Sequence, residues 1–288
     1  MIKKEKLLPY YFLAPALGIL LVLVIYPLIF SLRLSFSNFS FGMADSAIAF
    51  VGFKNFIRMF RDSYFLNGLR LTILYMFGTS LIAFVIGLGV SLLLQKSFFG
   101  KKVIMNILIL PLATTPVVVG IVWRLLLMPD YSFVNYLLSL LGIRGPQWLI
   151  TPGWALFSVM IAYVWEWSPF FIIMLSAGLA SLPQEPYEAA KIDGATGWQT
   201  LRFITLPLLK PLVFLVLIIR MMDAFRVFDL VYSMTKGGPG RSTQILSYVV
   251  YYTGIGYLEL GYASAMSYVM LVILVLLSIF LLKFVRST

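Results

Sequence analysis

Apolar residues in this chain come as long uncharged runs rather than in the alternation of a half-buried strand. Four runs stand out: Leu7–Leu32, Leu71–Gln95, Val103–Trp123 and Leu260–Leu282. A helix needs ~20 residues to cross a ~30 Å hydrocarbon layer, and each run is long enough. Two further segments are mostly apolar but carry charge. Gly153–Leu182 is interrupted by Glu166, and Leu208–Met234 by Arg220, Asp223, Arg226 and Asp229. The pattern predicts an all-α integral membrane protein, one domain over 1–288, with six transmembrane helices at about 8–32, 71–95, 103–127, 153–180, 208–234 and 260–282. The run after MIKKEK is too long for the apolar core of a signal peptide, and no small-residue cleavage site follows it, so it reads as a permanent first span.

Shorter periods appear between the spans. Phe53, Phe56, Ile57 and Phe60 fall at i, i+3, i+4, i+7, while Lys54, Arg58 and Arg61 share another face. This predicts a short helix that either lies on the membrane, aromatic side down, or packs on the protein itself. Asp130–Ile143 reads as a small amphipathic element ended by Gly142, with a turn at Arg144-Gly145-Pro146. Ser242–Tyr257, roughly 16 residues, is short for a crossing. It reads as a re-entrant or outer-surface helix offering Tyr248, Tyr251 and Tyr252 to a partner.

Composition narrows the function classes. With 61% hydrophobic and 11% charged residues, the chain lies far from soluble domains, where about a quarter of residues are charged. Cysteine and histidine are absent, which excludes thiolate and imidazole chemistry and the zinc and haem sites that depend on them. No loop clusters carboxylates for a metal, so none is expected. There is no G-x-x-x-x-G-K-[ST] phosphate loop either; Gly238-Pro239-Gly240-Arg241-Ser242-Thr243 lacks its lysine and spacing. Lys3, Lys4, Lys6, Lys96, Lys101, Lys102, Lys191, Arg202, Lys210, Lys283 and Arg286 sit at the ends and even loops. Fewer basic residues occupy the longer opposite loops, so both termini are expected inside. The net charge of +11 then reflects membrane anchoring and a basic outer segment, with no nucleic-acid partner.

The longest polar island is Tyr187–Pro211, YEAAKIDGATGWQTLRFITLPLLKP. Ser181-Leu182-Pro183-Gln184 has the form of a capping box that opens a helix, and Gly194 can stop it. Thr196-Gly197-Trp198-Gln199 is a second box, expected to open a short helix ending before Pro207. The product is a helical hairpin over 181–207. Its small Ala189, Ala190 and Ala195 permit close approach of another backbone, and Glu188 and Asp193 offer carboxylates to a basic partner.

The order Glu188-Ala189-Ala190, Asp193-Gly194-Ala195, Phe203, Leu206-Pro207 resembles the EAA loop of ABC importer permeases. The resemblance extends over nearly the whole chain to the carbohydrate branch that contains maltose and glycerol-phosphate permeases. Its further blocks are Tyr26-Pro27 with Ser35-Phe36, Phe50–Phe56, Phe228-Asp229 leading to Thr235–Pro239, and Gly261–Ala265. It implies the type I ABC importer permease fold, with the cytoplasmic hairpin as coupling helix and Glu188, Ala189, Ala190, Asp193 and Gly194 as the positions that meet the ATPase. Pro186 departs from the family pattern and is expected to shorten the hairpin's first turn. Implied partners are a second permease subunit, two ABC ATPase subunits, an extracytoplasmic solute-binding protein and the lipid bilayer of a prokaryotic inner membrane. No cofactor is implied for this chain, since ATP and Mg belong to the ATPase subunits. The expected role is that of a transport subunit rather than an enzyme.

Arg220, Asp223, Arg226 and Asp229, three apart, can form i, i+3 ion pairs on one helix. Each charge costs ~2.5–3.5 kcal/mol at mid-membrane, so the helix must be enclosed or line a wet cavity. Steps of about −60° wind the four halfway round the helix, so they cannot all face one pore. The reading adopted puts Asp223 and Arg226 on the pathway and pairs Arg220 and Asp229 with neighbouring helices, with Glu166 a candidate partner. A self-neutralised ladder is the alternative. Tyr163, Trp167 and Phe170 form an aromatic stripe that serves either packing or the apolar faces of a sugar. Thr114, Thr115 and Pro116 can loosen the third span, and Thr115 joins the candidate pathway. Family likeness implies a mid-membrane site for a sugar-like substrate; a polyol or a glycerol-phosphate ester fits the same residues. A self-contained carrier or channel, the reading from another class, would show inverted repeats and have no use for the hairpin.

Overall fold

The computed structural model describes residues 2–44, 48–129 and 131–286, and side chains at 2–10, 281–282 and 284–286 are left aside. The terminal charges Lys3, Lys4, Lys6 and Arg286, and Asp130 at the head of the expected amphipathic element, therefore lie outside what is described. Regular structure among the described residues is helical, apart from one isolated bridge between Ser37 and Phe50. In chain order the helices are α1 (Tyr11–Ser35), α2 (Lys54–Met59), α3 (Ser63–Leu93), α4 (Lys101–Ala113), α5 (Pro116–Leu126), α6 (Phe133–Leu140), α7 (Pro152–Ala180), α8 (Glu185–Ile192), α9 (Gly197–Phe225), α10 (Asp229–Met234), α11 (Leu246–Tyr251) and α12 (Leu260–Arg286). They group into two compact units, 1–66 with 249–272, and 67–248 with 273–288.

In the first unit, α1 presents apolar side chains all round, as a helix in lipid does. Helix α2 is fastened to its end by Asn55, whose Nδ2 donates to the carbonyls of Ser35 (2.9 Å) and Ser37 (2.8 Å). Asn55 and Met59 form the buried face of α2, while Phe53, Ile57 and Phe60 stay bare. The stripe is thus mostly exposed, yet Phe36 packs on two of its rings, Phe53 at 5.4 Å and the half-buried Phe56 at 5.2 Å, so it combines the two expected roles. Arg58 closes the unit: it pairs with Glu259 at 2.7 Å and lies 3.9 Å over the Tyr262 ring, whose hydroxyl donates to Asp62. Burial alone would lower the Arg58 pKa, but Glu259 outweighs it and holds the guanidinium above its usual value. Gly261 is required here, because a Cβ would stand 2.4 Å from the Ser37 carbonyl oxygen.

The second unit is built on α7, with 67% of its most apolar window buried. Ala83 from α3, Val164, Phe171 and Leu175 from α7 and Val216 from α9 form the packed centre. Helices α3 and α7 touch closely at Gly87, where a Cβ would meet the Phe171 Cβ at 2.3 Å.

Four expectations are corrected. The third span, predicted at 103–127, is two helices meeting at 102°. A tight turn at Leu110–Ala113 ends α4, Thr114 and Thr115 are extended, and Pro116 both forbids helix at Thr115 and starts α5. The segment predicted at 208–234 is not one helix either: α9 stops at Phe225, and Arg226–Phe228 leave helical geometry before α10. The second hairpin helix does not end before Pro207 but runs on into α9. A π-turn at Leu201–Thr205 gives it one extra residue, Leu206 N–H bonding to Leu201 O, and so opens room for the proline ring. Finally, Tyr248 is buried with its hydroxyl on the Lys236 carbonyl at 2.6 Å, so it is not offered to a partner, whereas Tyr252 is exposed.

Candidate functional site

Two features carry chemistry, one at each end of α9. The first is the hairpin of α8 and the start of α9. Its second capping box forms as expected: Thr196 Oγ1 accepts from Gln199 N–H at 3.3 Å, and Gln199 Oε1 accepts from Thr196 N–H at 2.7 Å. The first box does not form. Helix α7 runs on to Ala180, so Ser181 caps its C-terminus, donating to the Gly178 carbonyl at 2.8 Å. Helix α8 begins at Glu185 with Pro186 in its first turn, where a missing N–H costs nothing.

Gly194 ends α8 in the left-handed region (φ +71). Its N–H bonds to Lys191 O and that of Ala195 to Ala190 O, the paired bonds of a Schellman cap. Tyr187 Oη donates to Thr205 Oγ1 at 3.1 Å and ties the two arms together. Of the five predicted coupling residues, Glu188, Ala189, Asp193 and Gly194 are exposed, and Ala190 is buried inside the hairpin. An open concavity of about 500 Å³ lies between the arms, lined by Pro186, Ala189, Asp193, Ala195 and Phe203. Ile192, Trp198 and Phe203 are bare beside it, more apolar surface than a solvated turn needs.

The second feature surrounds Arg220, which is only 2% exposed. Its guanidinium lies 3.6 Å over the Trp167 ring, with Tyr163 and Phe170 at 5.4 and 5.6 Å. Arg220 donates to Tyr163 Oη at 2.5 Å and to Asp223 Oδ2 at 2.9 Å. Asp223 is shared, its Oδ1 accepting from Arg226 at 2.5 Å. The aromatic stripe and the charges thus meet around Arg220, which contacts the neighbouring α7 as expected, whereas Asp223 and Arg226, the two charges expected on the pathway, reach the rings only through it. Arg226 is two-thirds exposed at the helix break and reaches the cluster through Asp223. Thr115, exposed at the start of α5, makes none of these contacts.

The expected partnership of Glu166 with Arg220 is not formed as an ion pair. Glu166 is 1% exposed and its Oε2 has no protein partner. Asp229, expected to pair with a neighbour, is exposed in the first turn of α10, where the helix N-terminus favours a carboxylate. Sequence reasoning missed Tyr75 of α3, fully buried with its ring 5.5 Å from that of Tyr163. Nothing in its uncharged run marks it out. A separate apolar cavity of about 620 Å³ lies between α3, α4 and α7, bounded by Ile86, Leu108, Pro111, Trp165 and Pro169.

Comparison with known proteins places the chain in a family. The model of the family described as binding-protein-dependent transport system inner membrane component matches residues 80–287. The trehalose/maltose transport system permease protein MalF of Thermococcus litoralis is 34% identical over 281 residues, 97% of this chain and 94% of that protein. The sn-glycerol-3-phosphate transport system permease protein UgpA of Agrobacterium fabrum is 31% identical, covering 98% of this chain and 96% of its own. Among solved structures, a chain of a bacterial ABC transporter involved in import of the acidic polysaccharide alginate superposes with a TM-score of 0.82 at 23% identity, over 99% of this chain and 96% of that one. The fold is therefore that of a type I ABC importer permease. By sequence over most of its length, this chain belongs to the family of binding-protein-dependent transport system inner membrane components.

Proposed function

We propose that the chain forms half of the translocation pathway of an ATP-driven importer for a sugar or oligosaccharide. It works with a second permease, two ATPase subunits and an external solute-binding protein, and ATP and Mg are held by the ATPase subunits. The observation that carries this reading is the continuity of α9. One helix of 29 residues, roughly 40 Å at 1.5 Å per residue, joins the capped hairpin at Gly197 to the Arg220–Asp223 cluster. Closure of the ATPase pair on Glu188–Gly194 moves the hairpin, and α9 carries that displacement to the cluster. Nucleotide supplies the free-energy difference between outward and inward states.

At the cluster, Trp167 and Phe170 offer ring faces to sugar C–H groups, and Asp223 and Arg226 offer hydrogen bonds to hydroxyls. The names of the relatives support a polar, multiply hydroxylated solute. A second reading, a glycerol-phosphate ester, is favoured by the exposed guanidinium of Arg226, a ready partner for a phosphate. Both termini lie inside, which puts the hairpin in the cytoplasm.

The test is affinity purification of the tagged chain in mild detergent, wild type against Glu188→Lys with Gly194→Trp. An ATPase and a second permease should accompany the wild type, and the ATPase should be lost from the double variant. Reconstituted complex with its binding protein is then screened for ATPase stimulation by trehalose, maltose and glycerol 3-phosphate. A chain that purifies alone in both cases removes the importer reading and puts a self-contained carrier in its place.

A further inference from the structure

Two buried groups in the second unit are complementary and both unmatched. Arg220 Nε, a donor on α9, and Glu166 Oε2, an acceptor on α7, each lack a protein partner and each belong to a side chain at most 2% exposed. Leaving a buried donor or acceptor unmade forfeits its hydration with nothing in return, and buried charges are held only when paired. The two helices pack against one another, and the Glu166 carboxylate lies within electrostatic reach of the guanidinium, beyond ion-pair distance. Asp229 of α10 also acts electrostatically on Glu166 and, being an anion, adds repulsion rather than a partner.

What Arg220 does meanwhile matters to the proposed site. It lies flat on the Trp167 ring at 3.6 Å, the face a sugar would stack on, and it occupies Asp223 Oδ2, while Arg226 occupies Oδ1. In this arrangement the platform is covered and the carboxylate engaged. Glu166 precedes Trp167 in α7, one step of about 100° round the helix, so the transfer asks the long Arg220 side chain to swing from the ring to the neighbouring face of α7.

We propose that Glu166 is the alternate acceptor for Arg220. In the state seen here Arg220 plugs the aromatic platform, and when substrate enters it transfers from Asp223 to Glu166. This uncovers Trp167 and frees one Asp223 oxygen for a sugar hydroxyl. Glu166 is thus a positioning residue that acts through Arg220 and touches no substrate. The inference rests on the sugar-pathway reading of the same cluster.

The test is a double-mutant cycle on the reconstituted complex, with sugar-dependent ATPase as readout and whichever of trehalose, maltose or glycerol 3-phosphate stimulates the wild type most as probe. Glu166→Gln keeps shape and removes the charge. It should raise the half-saturating sugar concentration by about tenfold, the scale of one lost hydrogen bond to a charged group. Glu166→Asp should fall between the two, and it carries the same test if the glutamine variant fails to assemble. In an Arg220→Gln background, where nothing needs a second acceptor, Glu166→Gln should add no further change. Equal effects in both backgrounds, or none in either, overturn the exchange while leaving the importer reading intact. No stimulation of the wild type by any of the three solutes overturns both.

Discussion

Arg220 explains how four charges persist on a segment surrounded by apolar helices. Its charge is spread over an aromatic face, a phenol and a shared carboxylate, and the other three charges, Asp223, Arg226 and Asp229, are at least partly exposed. Removing one partner should therefore cost far more than removing both. Asp223→Asn strands a buried cation and should destabilise the protein by about 3 kcal/mol, read as a fall in the detergent unfolding midpoint. Arg220→Met with Asp223→Leu should restore most of that stability while abolishing sugar-dependent ATPase. If the double variant is less stable than Asp223→Asn, the pair is a net source of stability. The spacing of the charges and the aromatic stripe were both legible in the sequence. Their meeting at Arg220 was not, because a helical wheel gives the direction of a side chain on its own helix and not which ring waits across the interface.

Among the elements, breaks were harder to read than helices. Thr196-Gly197-Trp198-Gln199 announced its capping box, since both partners lie within four residues. Ser181-Leu182-Pro183-Gln184 has the same form and caps the preceding helix instead, because tertiary packing carries α7 to Ala180. Pro207 reads as a helix stop, yet the π-turn before it absorbs the ring and keeps hairpin and span in one lever. Close helix contacts were likewise invisible to periodicity, and two glycines on α3 separate the cases. At Gly78 an added Cβ would meet only the mobile end of Met160, 2.3 Å away. At Gly87 it would meet Phe171 Cβ at 2.3 Å and the Phe171 carbonyl carbon at 3.3 Å, which cannot swing aside. Gly87→Ala should thus lower stability by about 1–3 kcal/mol through forced separation of α3 and α7, and Gly78→Ala by much less. Paired thermal unfolding of the purified variants checks the order; equal losses would mean that α7 yields as readily as a methionine tip.

At the scale of the whole molecule, the sidedness of the chain turns on the bent pair α4 and α5. Among the described residues five helices are long and apolar enough to cross, and the pair supplies a sixth crossing only if it is one broken span. Counted as a crossing, it leaves both termini on the same side and puts the hairpin with the basic turn at Lys96–Lys102. Counted as a re-entrant loop, it reverses everything after it. The basic-residue bias along the sequence favours the first arrangement. A direct test is available because the chain contains no cysteine. Single cysteines at Phe99, before α4, and Leu141, after α6, flank the bent pair on fully and largely exposed positions. In intact cells a membrane-impermeant maleimide should label Leu141→Cys and should reach Phe99→Cys only after permeabilisation. Labelling of both from the same side would make the pair re-entrant, separate the two termini across the membrane, and require the coupling hairpin to be placed again from the data.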